Sequence, residues 1–342
     1  MASIFTPQQE KILNAIQSPL PFVQRPFLVL EKELGIPEEE IINDIITLKQ
    51  DGVIRNIAGI FNGESLGYKL SLVTFKVPAD RVEKAALLIN SHPGVSHNYL
   101  RDHEYNIWFT IAEENTEYLT RSIDVLAKKC GADSHLVMKN EKLIKIGVKL
   151  FIGDADKNEA PNNTFIQMKQ TEIEPLEEHE KEAIRLLQKD MPLTIRPFKE
   201  LAAESILSED DFIETAAVLE ENGIMRRYAA VLRHVKAGYS SNAMTAWKFN
   251  ATDEDKAVAV FANEQAVTHL YIRTLYPGKW EYPLFAMIHA KSDGELNDLI
   301  QKLSDGSRLD DKLVLRSLKE FKKKRVIYFS PEFEKWKIEN YD

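Results

Sequence analysis

The stretch VSHNYLR at residues 95–101 returns as VTHLYIR at residues 267–273. Besides the leading valine, three positions are held, His97, Tyr99 and Arg101 in the first and His269, Tyr271 and Arg273 in the second. The residues between them drift from Asn98 and Leu100 to Leu270 and Ile272. Side chains two apart on a strand share a face and lie about 6.6 Å apart along it. The spacing therefore predicts a His-Tyr-Arg row on one face of a strand, written twice. Working outward, PFVQRPF (21–27) answers PLTIRPF (192–198), and LKQDGVIRNIAGIFN (48–62) answers LEENGIMRRYAAVLR (219–233). YNIWFTI (105–111) answers YPLFAMI (282–288). The order is kept throughout, so the 342-residue chain reads as a tandem repeat.

Each copy has two parts. In the first, TPQQEKILNAIQ offers Thr6 as a helix cap, Pro7 at the first helical position and apolar residues at 12, 13 and 16. RPFLVLEKELGI and PEEEIINDIITLKQDG continue that rhythm to Gly52, and VIRNIAGIFN alternates like a strand. Three short helices and a strand predict a winged helix-turn-helix. The second part runs strand (YKLSLVTFKVP), helix (DRVEKAALLINSHP), two strands, helix (TEYLTRSIDVLAKKCG), then extended chain (SHLVMKNEKLIKIGVKLF). That order, βαββαβ, predicts a ferredoxin-like sandwich. The expected fold class is α+β. Winged helix-turn-helix units fall at 1–60 and 178–231, ferredoxin-like domains at 61–152 and 232–342, and a polar Asn/Glu-rich linker at 153–177.

Composition narrows the function. With 44% hydrophobic and 28% charged residues the chain is an ordinary globular one. Cys130 is the sole cysteine, which excludes an internal disulfide, a CxxC redox pair, a thiolate zinc site and a Cys-bound iron–sulfur cluster. No basic-then-apolar leader opens the sequence and no apolar run approaches the ~20 residues of a membrane helix, so a cytoplasmic protein without membrane attachment is expected. Dinucleotide, P-loop, HExxH and nucleophile-elbow motifs are all missing.

A winged helix-turn-helix followed by βαββαβ resembles the Lrp/AsnC regulators, which implies DNA binding. The charges oppose it. The net charge is −9. The expected recognition helix of copy one carries Glu38, Glu39, Glu40 and Asp44 against Lys49 alone. That of copy two carries Glu209, Asp210, Asp211, Glu214, Glu220 and Glu221 with no cation. A helix entering the major groove needs cations near phosphates. No DNA partner is expected.

The cations gather elsewhere. Arg226, Arg227, Arg233, His234 and Lys236 lie on and just after the wing strand of copy two, and Trp280, Tyr282 and His289 follow its His-Tyr-Arg row. Copy one has Arg55 at the matching wing position but Asn56 and Asn62 at others, and adds His103 and Tyr105 beyond its row. Guanidinium groups match carboxylates, aromatics cover flat rings, and imidazoles move protons near neutrality. The pattern predicts a pocket for a large, flat, multiply anionic ligand.

At these residues a closer resemblance appears. HNYLRDHEYNIWFT with RNIAGIFN is similar to the A subunit of the siroheme decarboxylases, and RRYAAVLRHVKAGYSSNAMTAWKF with HLYIR and YPLFAMIH is similar to the B subunit. The resemblance implies an A–B fusion, an internal pseudo-heterodimer able to form homo-oligomers. It also implies removal of CO2 from the two acetate side chains of siroheme, giving 12,18-didecarboxysiroheme for heme. The same step in heme d1 formation, or a non-catalytic tetrapyrrole-sensing regulator, is the alternative. It implies no organic cofactor and no metal of the protein's own, iron arriving only inside the substrate, where a histidine could approach it. On this reading His234 and His269 transfer protons. Arg226, Arg227, Arg233, Lys236 and Arg273 hold carboxylates, with Tyr271, Trp280, Tyr282 and His289 around them. Arg55, His97, Tyr99, Arg101, His103 and Tyr105 form a weaker counterpart, open to being a second site, a relic or part of the dimer seam.

Overall fold

Thr6 opens the first helix as its spacing predicts. Its hydroxyl accepts from the Gln9 amide while the Gln9 side chain accepts from the Thr6 amide. The structure, a computed structural model, describes residues 5–146, 175–233 and 241–341. The expected linker, apart from Pro175–Glu177, lies outside them, as do His234 and Lys236. Among the described residues no helix is long and apolar enough to cross a membrane.

The first module comprises α1 (Pro7–Ile16), α2 (Pro26–Leu34), α3 (Glu38–Gln50) and β1 (Ile54–Phe61). The second comprises α6 (Glu178–Leu187), α7 (Pro197–Ala202), α8 (Glu209–Glu221) and β7 (Met225–Leu232). β1 and β7 pair antiparallel with each other, Ala58 opposite Ala229 and Ile57 opposite Ala230. One face of this ribbon sends Ile57 and Tyr228 into a single core shared by both modules, with Phe27 and Ile45 from one and Phe198 and Phe212 from the other. The cations nearest the two recognition helices are committed. Arg25 pairs with Glu38, Arg196 with Glu209, and Lys49 with Asp190.

Sheet one is built from β2 (Lys69–Lys76), β3 (Val95–Arg101), β4 (Ile107–Glu113) and β5 (Ser134–Met138), covered outside by α4 (Val82–Ser91) and α5 (Thr116–Cys130). Sheet two uses β8 (Ser241–Trp247), β9 (Val267–Arg273), β10 (Leu284–Ala290) and β11 (Lys312–Leu315) under α9 (Glu254–Asn263) and α10 (Asp293–Ser307). Both have the ferredoxin-like strand order, and each gains a fifth strand from the other repeat. β6 (Asn140–Ile146) leaves copy one and pairs with β9, while β12 (Ser317–Lys323) leaves copy two and pairs with β3. Lys139 alone separates β5 from β6, and Arg316 alone separates β11 from β12. The closing extended chain of each expected domain thus belongs partly to the other domain's sheet. Boundaries at 61–152 and 232–342 follow the chain, not the sheets.

The uncovered faces of the two sheets meet through Tyr105, Trp108, Met138, Ala246, Trp280 and Phe285. After β12 the chain returns to copy one. Tyr328 packs 4.8 Å from Tyr68, and α11 (Glu332–Asn340) lays Trp336 4.2 Å from His92. There the buried Glu113 accepts from Ser122 (2.6 Å) and His92 (2.9 Å), and Ser122 meets the Tyr341 hydroxyl at 2.8 Å.

Exchange leaves each half with an unpaired sheet edge when alone. Residues 1–152 and 153–342 expressed separately are expected to aggregate or self-associate, and to co-purify as a one-to-one complex when co-expressed. Size-exclusion chromatography measures this, and two stable monomeric halves would contradict the exchange.

Candidate active site

Tyr99 lies opposite Trp108 and Tyr271 opposite Phe285, both members of the layer between the sheets, whereas Asn98 and Leu270 lie opposite Phe109 and Ala286 of the helix-covered cores. Both His-Tyr-Arg rows therefore face inward between the sheets, as their spacing predicts. A bulge precedes each histidine. Val95 pairs with Ile111 but His97 with Thr110, leaving Ser96 over. Val267 pairs with Ile288 but His269 with Met287, leaving Thr268 over. The extra residue re-aims the side chain beside it and puts a hydroxyl there. Ser96 Oγ is 3.0 Å from His97 Nδ1, and Thr268 Oγ1 is 2.9 Å from His269 Nδ1. Each imidazole then stacks on its tyrosine at 6.3 Å.

The row arginines are each held through Nη1, while their buried Nε atoms have no hydrogen-bond partner. Arg101 sits over the Tyr99 ring at 5.0 Å and donates to Leu315 O at 2.8 Å. Arg273 sits over Tyr271 at 4.5 Å and donates to Met138 O at 2.8 Å. Leu315 and Met138 are the last residues before the chain changes sheets. Both arginines are buried. They pin the crossing points, a contact the expected carboxylate-holding role of Arg273 did not include.

The structure divides the remaining candidates along the strand. His103 lies in the turn just past the end of β3, its amide donating to Arg101 O at 3.0 Å. At that far end His103 Nδ1 accepts from the Tyr105 amide (3.0 Å) and its ring meets Trp280 at 5.5 Å. Trp280 is buried 5.2 Å from Trp108 and fills the layer between the sheets; Tyr105 is buried in the same layer. Tyr282 bonds Asp311 at 3.0 Å. This end is packing. His289 stays with the histidine end, on the same face of β10 as Met287, the strand partner of His269.

At the near end, cations converge on His97 from three strands and the chain after them. Lys323 on β12 is its cross-strand partner. Arg55, in the bulge of β1, donates to Lys323 O at 2.6 Å. Arg227 lies opposite Ile60 on the ribbon face turned away from the shared core, and Arg325 reaches Gly59 O at 3.4 Å. Burial, then the charges of Lys323 and Arg55, push the His97 imidazole down to about 4. Burial, then Arg55 and Arg227, push Arg325 down to about 10. Among the described residues no ion pair joins Arg55, Arg226, Arg227, Lys323 or Arg325 to a carboxylate. On the copy-two side the charge of Arg226 acts on Tyr271 and on Tyr328, as does that of Glu64. Arg233 is exposed just past β7. His234 and Lys236 fall outside the described residues.

Lys323, Arg325 and Tyr328 escaped sequence reasoning because their segment reads as the end of copy two, and only the exchange carries it to copy one. The run KEFKKKR (319–325) in a net-acidic chain was the available signal. Copy two thus lays cations beside His97 that copy one's own sequence does not supply. Among the described residues no cluster of His, Cys, Asp and Glu could hold a metal ion.

Paired winged modules over two facing ferredoxin-like sheets, with cations that lack carboxylate partners gathered beside an inward-facing strand row, define an AsnC-type ligand-binding scaffold. An AsnC-like ligand binding domain model matches residues 65–145 and 236–322, and a siroheme decarboxylase NirDL-like HTH domain model matches 9–55 and 180–226. The siroheme decarboxylase of Hydrogenobacter thermophilus is 38% identical over 96% of each chain. A siroheme decarboxylase alpha subunit of Oleidesulfovibrio alaskensis is 37% identical over 41% of this chain and 84% of its own, one repeat's worth. The crystal structure of the siroheme decarboxylase NirDL in co-complex with an iron-uroporphyrin III analogue superposes with a TM-score of 0.76 at 33% identity, covering 97% of this chain and 98% of that one. The chain belongs to the siroheme decarboxylase family.

The pinning role of the row arginines has a direct check. Arg101→Met and Arg273→Met are each expected to lower the unfolding free energy of the ligand-free protein by about 2 kcal/mol, the worth of a buried charged hydrogen bond. Urea unfolding without ligand measures it. Unchanged stability in both variants would return these arginines to the pool of ligand contacts.

Proposed function

We propose that this protein removes the two acetate carboxyl groups of siroheme as CO2, giving 12,18-didecarboxysiroheme in the cytoplasm. The reading rests on the full-length relationship to siroheme decarboxylases. Within the structure, the observation that carries it is a half-buried imidazole beside Lys323 and Arg55, cations that lack carboxylate partners among the described residues.

The chemistry fits those groups. When the bond from methylene to carboxylate breaks, its electron pair stays on the methylene carbon. Protonating the macrocycle first lets the ring hold that pair, and a proton must end on the new methyl group. Each CO2 released consumes one proton, and the ring itself serves as electron sink, so the reading needs no organic cofactor. Arg55, Arg227 and Lys323 would hold spectator carboxylates. His97, oriented by Ser96, and His269, oriented by Thr268, would deliver protons, with His234 a further donor on sequence grounds. The acidic, internally paired recognition helices give no surface for DNA.

An imidazole held near 4 is neutral in the empty site at pH 7 and is no acid. A polyanionic substrate reverses the field on it, which raises its affinity for a proton toward the ordinary value of about 6.5 or above. Substrate binding should therefore take up a proton. Near pH 6 the empty site holds it weakly and the filled site strongly, so uptake approaches about one proton, fading by roughly pH 8 where neither form is charged. Calorimetry of iron-uroporphyrin III binding in buffers of different ionisation enthalpy reads this, and an identical uptake in His97→Ala would remove His97 from the account.

Anaerobic incubation with siroheme tests the reaction itself. Mass spectrometry is expected to find the substrate lighter by two CO2. His97→Ala, His269→Ala and His234→Ala are each expected to slow release by ~10²–10⁴-fold with binding kept. Full rates in a variant strip that histidine of its role, and a wild-type protein that binds siroheme without changing its mass is a sensor and not an enzyme.

A further inference from the structure

Arg325, half-buried, differs from the two buried arginines of the strand rows. Arg101 and Arg273 each donate to a carbonyl at 2.8 Å and lie over a tyrosine ring. Arg325 has one stretched contact, 3.4 Å to Gly59 O, and its neighbours are the guanidinium groups of Arg55 and Arg227. Burying a cation beside two others costs free energy that nothing in this cluster returns.

We propose that Arg325 is a substrate-binding residue of the copy-one cleft, closing with Arg55 and Arg227 on carboxylates of the tetrapyrrole. This deepens the function proposed above and rests on it. The residue arrives from the other repeat: β12 ends at Lys323 beside His97, and Arg325 follows two residues later. The segment is fixed beyond it as well. Val326 and Tyr328 are buried in the core shared by the winged modules, the Tyr328 amide donates to Gln188 at 2.8 Å, and the Phe329 amide donates to the Tyr68 hydroxyl at 2.9 Å. A side chain held on both sides, facing like charges, is arranged for an anion that comes from outside. The cleft of copy one is then incomplete without the chain of copy two.

A structural arginine and a binding arginine differ in what their loss does to the empty protein. Arg325→Gln relieves repulsion, so the ligand-free melting temperature is expected to hold or rise, whereas the affinity for iron-uroporphyrin III, followed by absorbance titration, falls about 10- to 100-fold. Arg325→Lys, keeping the charge but losing the planar fork, should fall between. Unchanged affinity in Arg325→Gln, or a loss of affinity with a matching fall in ligand-free melting temperature, overturns the proposal. If the wild-type protein itself fails to bind iron-uroporphyrin III, the failure lies in the functional reading and not in Arg325 alone.

Discussion

A strand that changes sheets within one residue is the constraint on which the molecule depends. At Lys139 and again at Arg316 the backbone leaves one sheet's hydrogen-bond ladder and enters the other's. Such a crossing forces the two sheets to lie face to face with their edges adjacent, because one peptide unit spans under 4 Å. It also forces a gap in local pairing, and the guanidinium groups of Arg101 and Arg273 fill it by taking the carbonyls at the corner. The aromatic layer of Trp108, Trp280 and Phe285 then follows from geometry, since two ferredoxin-like sheets with helices outside leave two apolar faces that must meet.

The wing ribbon works in the same way one level up. β1 and β7 have no other strand to pair with, so they pair with each other, and the six helices close over one face of the ribbon. Its other face carries Ala58 and Ala229 opposite each other, small side chains that leave room, with Arg227 nearby. The strand rows and this ribbon are thus brought together, Arg55 of β1 reaching Lys323 of β12, by two exchanges, neither of which one repeat can make alone.

Much of this was legible beforehand. Thr6, Pro7 and Gly52 marked helix ends, and the period-two row His97, Tyr99, Arg101 marked both a strand and a shared face. The exchange was not legible, because an alternating strand such as SLKEFKK pairs equally well with either sheet, and nothing local names its partner. The contacts at the site that the sequence could not show descend from that one gap. Arg273 read as a carboxylate clamp because its carbonyl partner belongs to the other sheet. Trp280 read as a pocket wall because the layer it fills exists only between the two sheets. Copy one read as poor in cations because Lys323 and Arg325 were counted with copy two.

Fusion of the repeats also permits the two clefts to differ. Opposite His97 stands Lys323 on the exchanged strand; opposite His269 stands Ile146. Thr110, across the strand from His97, is replaced by Met287 across from His269, and Asn56 by Arg227 on the ribbon. In a symmetric homodimer each of these changes would appear twice and both clefts would shift together. In one chain a cation added to one side leaves the other untouched, so the field around His97 and that around His269 are set independently. The same hydroxyl–imidazole–tyrosine stack is kept in both while its electrostatic surroundings diverge. The hydroxyl–imidazole geometry and the charge environment are therefore separable in this architecture, the first fixed by a β-bulge and the second by what the other repeat lays beside it.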